Sequence, residues 1–327
     1  MEYRKLGNSN LDVSVITFGA WAAGGWMWGS TDRKEAVEAI VASYHEGVTS
    51  IDTAPIYGQG TSEEIVGEAI KGLSRDKVQI LTKFGMRWDL DSPKGDFAMH
   101  SKDNQGKDID VYKYAGKESV IKEVEDSLRR LRTDYIDLLQ IHWPDSTTPI
   151  HETMEALELL IGQGKIRHAG VSNYNTDQVK EARQTLNIVS NQVPYSMLNK
   201  RIEAELVPYA LKNDLSIIAY SPMERGLLTG KYFSEVKLHE GDHRSGYFKK
   251  FDAQKVQNFL KTIEPITQEK NATLAQLVLR WTSLQPAITV VLAGARNADQ
   301  AVQNAKAIQI KLSTQELAFI HTELAKI

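Results

Sequence analysis

The chain has 327 residues, with 39 Lys and Arg against 42 Asp and Glu, for a formal net charge of −3. Hydrophobic residues make up 42% and charged residues 25%, which excludes disorder over most of the length. The lack of a basic excess argues against a nucleic-acid partner. The absence of cysteine excludes disulfides, thiolate catalysis, zinc–thiolate clusters and iron–sulfur centres.

The first residues, Met1-Glu2-Tyr3-Arg4-Lys5, carry no apolar signal-peptide core. Tyr3–Val13, centred on Gly7-Asn8, reads as a hairpin. Strand Val15–Phe18 follows, then helix Asp32–Glu46 with a capping pair, Asp32 and Glu35, and a stop at Gly47. Strand Val48–Asp52 leads to helix Thr61–Gly72, which opens with Thr61 and Glu64 in capping-box spacing. Strand Val78–Lys83 precedes a long polar connection, Arg87–Lys117, containing Pro93, Gly95, Gly106 and Gly116. Helix Glu118–Arg132, strand Ile136–Ile141, helix Glu152–Gly164, strand Ile166–Ser172, helix Thr176–Leu186, strand Ile188–Val193, helix Arg201–Asn213 and strand Ser216–Ser221 continue the alternation. A second long connection, Lys231–Phe251, and an added helix, Ala253–Lys270, lead to helix Thr273–Leu284, strand Ile288–Leu292 and helix Ala298–Ala307. Ser313 and Glu316 open a final helix over Ser313–Ile327.

Each strand is a short, nearly continuous apolar run, as expected for parallel strands covered on both faces. Eight strand–helix units predict an α/β fold, a (β/α)8 TIM barrel forming one domain over 1–327, with an N-terminal hairpin, long strand-end loops and a C-terminal helix. A doubly wound open sheet is the rival, but it would carry a Gly-rich phosphate turn after its first strand, and Gly19-Ala20-Trp21-Ala22-Ala23-Gly24 is not GxGxxG. No apolar run approaches the roughly 18–20 residues of a membrane span, so a cytoplasmic protein without a membrane partner is expected.

In such a barrel the polar residues at strand C-termini form the active site. Here these are Asp52, with Tyr57 just beyond it, then Lys83, His142, Ser172-Asn173, Asn191-Gln192 and Tyr220-Ser221. Singly, each has a plain structural role open to it: Asp52 bonding loop amides, Tyr57 an ordinary loop residue, His142 a core histidine. Lysine is rarely buried unpaired, however, and Lys83 ends an apolar strand, so Asp52 is its expected partner. An ammonium about 4 Å from a phenol, at an effective dielectric of about 20, would favour the phenolate by roughly 4 kcal/mol before desolvation. That arrangement would bring Tyr57 toward a general-acid range, with a neutral His142 donating to a substrate oxygen. A metal-free site that protonates a carbonyl oxygen needs a separate reductant, and a nicotinamide fits. The eight histidines form no HExxH or HxH pattern, and His151-Glu152-Thr153-Met154-Glu155 lacks its second His, so no metal is expected.

Gly47-Val48-Thr49-Ser50-Ile51-Asp52-Thr53-Ala54-Pro55-Ile56-Tyr57-Gly58, Leu81-Thr82-Lys83, the run from Leu131 to Pro144 through Gln140-Ile141-His142-Trp143, Gly164-Lys165-Ile166-Arg167, Gly170-Val171-Ser172-Asn173 and Tyr220-Ser221-Pro222 together resemble the aldo-keto reductases, from about Tyr3 to about Leu324. The run Trp21–Thr31 is similar to the bacterial general-stress branch, whose members reduce aldehydes such as glyoxals. The resemblance implies NADPH-dependent reduction of aldehydes and ketones, with Tyr57 as proton donor and Asp52, Lys83 and His142 completing the catalytic tetrad. It implies that Ser172, Asn173 and Gln192 bond the nicotinamide carboxamide and that Tyr220 stacks on its ring, beside Ser221, Pro222 and Met223. Gly19, Ala20 and Trp21, together with Asp52, would lie against the cofactor. Arg225, Gly226, Leu228, Gly230 and Lys231 would cover the pyrophosphate; the stretch is not a P-loop, because GxxxxGK[ST] fails there. Gly294, Ala295, Arg296, Gln300 and Asn304 would hold the adenosine, with Arg296 clamping the 2′-phosphate and so favouring NADP+ over NAD.

Trp26, Trp28, Trp88 and Trp143, with Tyr57 and His142, are the expected walls for a small carbonyl substrate. The long Arg87–Lys117 connection, through Arg87 and His100, would narrow or gate the mouth. Two rival functions remain at this point: a nucleotide-binding partner subunit, as in the potassium-channel β-subunits of the same family, and a Schiff-base lyase using Lys83. The oligomeric state is left open.

Overall fold

The computed structural model describes residues 1–29, 31–233 and 244–327. Its centre is a closed barrel of eight parallel strands in the order β3 (Ile16–Gly19), β4 (Ser50–Asp52), β5 (Gln79–Phe84), β9 (Ile136–Ile141), β10 (Ile166–Ser172), β11 (Ile188–Pro194), β12 (Ser216–Tyr220) and β13 (Ile288–Ala293). The helices α1 (Arg33–His45), α2 (Thr61–Ala69), α3 (Lys117–Leu131), α4 (Ile150–Gly162), α5 (Thr176–Thr185), α6 (Leu206–Lys212), α9 (Leu274–Ser283) and α10 (Ala298–Lys306) alternate with these strands, and α7 (Arg244–Tyr247), α8 (Ala253–Glu269) and α11 (Thr314–Leu324) are added to them. The barrel strands are buried on both faces, which is why they read as unbroken apolar runs.

The bore is filled from below. Leu81, Leu138, Val189, Ile218, Val290 and Leu292 point inward and pack on Leu6, Leu11 and Val13 of the hairpin formed by β1 (Tyr3–Lys5) and β2 (Asp12–Ser14). The hairpin sits at the strands' N-terminal end: the Gly7 amide donates to Ser216 Oγ at the start of β12 (2.6 Å), and Asn10 meets His168 (2.9 Å). That end is plugged, and the opposite mouth gathers Asp52, Lys83 and Gln192.

Most helix starts follow their sequence signals. The Asp32 side chain accepts from the Glu35 amide, and full capping boxes form at Asn175/Gln178, Thr273/Gln276 and Ser313/Glu316. The box expected at Thr61 and Glu64 does not form. Gly60, with φ +99°, takes the cap position, Thr61 Oγ1 donates to the Gly58 carbonyl (2.7 Å), and Glu64 pairs with Arg33 instead. The expected helix Arg201–Asn213 also splits, into one turn at Arg201–Glu203 and then α6. Pro208 has no N–H to donate back to Ala204, which weakens a continuous helix at this point.

The largest correction concerns Arg87–Lys117. This stretch is not an irregular loop but an antiparallel sheet of β6 (Met86–Arg87), β8 (Asp108–Lys113) and β7 (Asp96–Lys102), in that order. Asp103 closes the β7–β8 turn by accepting from the amides of Gln105 (2.9 Å) and Lys107 (2.8 Å). The second long connection, Lys231–Phe251, falls partly outside the described residues; Lys231–Phe233 and α7 are its described ends. No helix among the described residues is long and apolar enough to cross a membrane.

Gly67 on α2 lies where a Cβ would stand 2.6 Å from the Arg130 carbonyl oxygen and 2.9 Å from the Leu131 carbonyl carbon. Alanine would add up to about 1 kcal/mol of helix propensity, but overpacking against rigid backbone costs about 1–3 kcal/mol. Gly67→Ala is therefore expected to lower the urea midpoint of unfolding, and a raised midpoint would refute this close packing of α2 on α3.

Candidate active site

Leu81 faces the bore, so Lys83, two residues further along β5, faces it as well. Its Nζ donates to Asp52 Oδ1 (2.6 Å) and to the Thr53 carbonyl (2.9 Å), while Gln192 Nε2 from β11 donates to Asp52 Oδ2 (2.8 Å). Lys83 and Asp52 are 1% and 2% exposed. Burial pulls the Lys83 pKa down, and the adjoining Asp52 carboxylate partly offsets this.

Tyr57 projects from the loop after β4. Its ring lies edge-on to His142 at 5.6 Å between centroids, stacks on Trp21 at 5.9 Å, and has Lys83 Nζ 5.1 Å from its centroid. The expectation that Lys83 would lower the phenol's pKa does not hold. Burial first, and the Asp52 carboxylate second, push it well above the ordinary value. The phenol is thus held protonated. Beside it, burial and the Lys83 ammonium hold the His142 pKa well below its ordinary range, and the buried Nδ1 has no hydrogen-bond partner among the described residues. His142 is a neutral imidazole. Its backbone is fixed from both sides, the amide donating to the Phe84 carbonyl (2.9 Å) and the carbonyl accepting from Asn173 Nδ2 (2.9 Å).

A second polar group adjoins these four. Ser172 Oγ donates to the Gln192 carbonyl (2.8 Å), Asn173 Nδ2 lies 3.1 Å from Ser172 Oγ, and Tyr220 Oη donates to Asn173 Oδ1 (3.0 Å). Gly19 ends β3, and the amide of Ala20, just beyond it, donates to the Asp52 carbonyl (2.8 Å).

Beyond Tyr220 the chain runs through Ser221, Pro222 and Met223 into a tight loop in which Arg225, Gly226 and Gly230 have φ of +57°, +100° and +78°; Leu228 and Lys231 belong to this stretch. The guanidinium of Arg225 lies 3.9 Å from the Tyr247 ring centroid and 5.4 Å from that of Trp21. Its Nε is buried without a hydrogen-bond partner among the described residues, and burial lowers its pKa. The neighbouring carboxylate, Glu224, is taken up by the hydroxyls of Ser196 and Tyr247. A half-buried cation with its neighbouring carboxylate already engaged, in a loop of left-handed backbone, fits an anionic diphosphate.

At the far side of the mouth, the Arg296 amide donates to Gln300 Oε1 (3.0 Å) and Asn304 Nδ2 to the Gly294 carbonyl (3.0 Å), so Gln300 and Asn304 brace the Gly294-Ala295-Arg296 loop. Arg296 Nη2 donates to the Trp28 carbonyl (2.7 Å). The Trp28 ring lies between Arg244 and Arg296 and edge-on to Trp21 at 5.3 Å. The structure thus groups Trp28 with Arg296 rather than with the other expected substrate-wall residues. Trp26 is buried, bonds Ser101 through Nε1 (3.1 Å) and packs with Ile56, Met86 and Val111, with Trp88 against this cluster. Trp143, next to His142, is 39% exposed.

Arg87 does not reach the mouth. It is buried, bonded to Asp89 (2.8 Å) and Ser119, and 3.8 Å from Glu123. His100 is exposed and bonded to Asp110 (2.6 Å). Neither is placed to gate the site. Sequence reasoning missed Glu123, whose carboxyl accepts from the Gly85 amide and is pushed up to about 8, chiefly by burial. Nothing in a helical Glu at that position marks it as buried. Among the described residues no group of three or more His, Asp or Glu side chains could hold a metal ion.

Comparison with known proteins agrees with this geometry. The model of the aldo/keto reductase family matches residues 15–323. Aldo-keto reductase YhdN of Bacillus subtilis is 38% identical over 92% of this chain and 86% of its own length. The NADH-specific methylglyoxal reductase of Escherichia coli is 35% identical over 98% of this chain and 97% of its own. Among solved structures, the glycerol dehydrogenase of Gluconobacter oxydans superposes with a TM-score of 0.87 at 34% identity, covering 99% of this chain and 95% of that one. The fold and the site define a barrel oxidoreductase acting on carbonyl groups with a nicotinamide cofactor. The chain belongs to the aldo/keto reductase family.

The depressed pKa of His142 has a sign that can be tested. Between the unfolded value of about 6.5 and the lower folded value, only the unfolded chain takes up the proton. This residue's contribution to stability is therefore lost as the pH falls below about 6.5. Nitrogen-15 shifts of the His142 ring at pH 6 should be those of a neutral imidazole, and an imidazolium signature would overturn the assignment.

Proposed function

We propose that this protein reduces small aldehydes and ketones to alcohols with NADPH, Tyr57 supplying the proton to the carbonyl oxygen. The observation that carries the reading is a phenol kept protonated between a neutral imidazole and a buried ammonium–carboxylate pair. When bound, the nicotinamide supplies a hydride to the carbonyl carbon. The side chains do the rest. His142 donates to the oxygen as negative charge develops there, and Tyr57 protonates it. The phenolate left behind has the Lys83 ammonium against its ring, with Nζ 5.1 Å from the centroid. Asp52 keeps Lys83 charged and aimed.

Ser172, Asn173 and Gln192 would bond the carboxamide, Tyr220 would cover the ring, Arg225 with Gly226 and Gly230 would take the diphosphate, and the Gly294–Asn304 segment the adenosine. Arg296 supports NADP+ over NAD: its guanidinium, which donates to the Trp28 carbonyl, would bind a 2′-phosphate bidentately and more strongly. The relatives include both kinds, a Klebsiella pneumoniae aldo-keto reductase solved with NADPH and the NADH-specific Escherichia coli enzyme. The latter also supports short reactive aldehydes as substrates.

Titrating tryptophan fluorescence with NADPH and with NADH, then adding an aldehyde panel, tests the reading. Tyr57→Phe is expected to bind NADPH within about twofold of wild type and lose about 10²–10⁴-fold in turnover. Retained turnover, or NADPH bound with no carbonyl consumed by the wild type, would overturn it. Arg296→Ala should weaken NADPH binding about tenfold and leave NADH nearly unchanged; equal losses would remove the case for NADP+.

A further inference from the structure

The inserted sheet β6–β8–β7 has a use beyond covering the mouth, and it is carried by the tip of its hairpin. Asp103 folds the β7–β8 turn so that Asn104 projects from it, and Asn104 Nδ2 donates to the Gly24 carbonyl (2.9 Å). Three pieces of chain meet there with no space between them. A Cβ on Gly58 would lie 2.2 Å from the Gly24 oxygen and 2.7 Å from Asn104 Nδ2, and a Cβ on Gly24 would lie 2.5 Å from the Tyr57 carbonyl oxygen. Gly58 has φ +69°, so the backbone leaves Tyr57 in a conformation that only glycine adopts without strain. The hairpin tip therefore rests on the peptide that carries the phenol.

The sheet cannot drift from that position. On one flank Ser101 Oγ accepts from Trp26 Nε1, and on the other the Asp96 carboxylate accepts from the Ser146 amide (2.8 Å) and hydroxyl (2.7 Å), in the loop after β9. Arg87 ties its base to Ser119 on α3. The insertion spans the mouth from the loop after the first barrel strand to the loop after the fourth, and is fixed at both.

We infer that the 86–113 sheet is a rigid brace and that Asn104 is a positioning residue, which holds Tyr57 in register with His142 through the Gly24–Gly58 contact. This role rests on the reading of Tyr57 as proton donor. Displacing a reacting group by a fraction of an ångström slows the step that uses it far more than it weakens binding elsewhere in the site.

The test compares wild type, Tyr57→Phe, Asn104→Ala and Asn104→Asp, the last keeping the shape but removing the donor. At saturating NADPH and aldehyde, both Asn104 variants should lose about tenfold in kcat. Their NADPH Kd should stay within twofold, the solvent deuterium isotope effect on kcat should rise, and amide hydrogen exchange over residues 57–62 should accelerate. A purely structural role would lower the melting temperature without raising the isotope effect. Unchanged kcat and exchange, or a loss matched by the fall in folded fraction with an unchanged isotope effect, would overturn the proposal. Wild-type turnover that survives Tyr57→Phe would overturn the reading of the proton donor instead, and this role with it.

Discussion

An ammonium buried in a barrel bore is tolerable only if something holds it charged, and much of the mouth follows from that. Lys83 loses nearly all contact with water, which costs several kcal/mol, and it recovers this through the Asp52 carboxylate and the Thr53 carbonyl. Asp52 in turn needs its second oxygen satisfied, and Gln192 reaches across the bore to do so. The pair is close to neutral as a unit, yet its two members act differently on the rings beside it. Burial first and the Lys83 cation second keep His142 neutral, while burial first and the Asp52 anion second keep Tyr57 protonated. Desolvation, reinforced by one ion pair, thus moves the proton affinities of two adjacent rings in opposite directions.

That pair was legible in the sequence because a lysine ending an apolar strand calls for a buried counter-charge. The barrel was legible for a related reason: strands covered on both faces leave continuous apolar runs, and Val78–Leu81 or Ile136–Ile141 resemble nothing else. The inserted sheet left a weaker trace. Only one of its faces is buried, so Met99, Ile109 and Val111 alternate with Lys, Asp and His, and a polar composition hides the period of two. The Thr61 box failed because local capping spacing competed with a tighter demand, the glycine turn that returns the chain from Tyr57. The direction of the Tyr57 shift was misjudged because the attraction of Lys83 was counted and the burial of the ring was not. Glu123 and the placement of Trp28 depend on contacts between distant segments, which spacing does not encode.

The aromatic loop after β3 links regions that lie far apart along the chain. Arg296 holds the Trp28 carbonyl, Trp28 meets Trp21 edge-on, and Trp21 stacks on Tyr57. The far end of the mouth and the phenol are therefore joined by one run of packed groups, four residues long, with the hairpin tip bearing on the same loop at Gly24.

Arg225 sits between two aromatic faces with its nearest carboxylate engaged elsewhere. Arg225 and Arg296 are both half-buried and follow neighbouring barrel strands, β12 and β13. An anion lying along both loops would meet two positive charges that keep contact with solvent, so both grips would loosen together as added salt shortens the Debye length from its physiological value of about 8 Å.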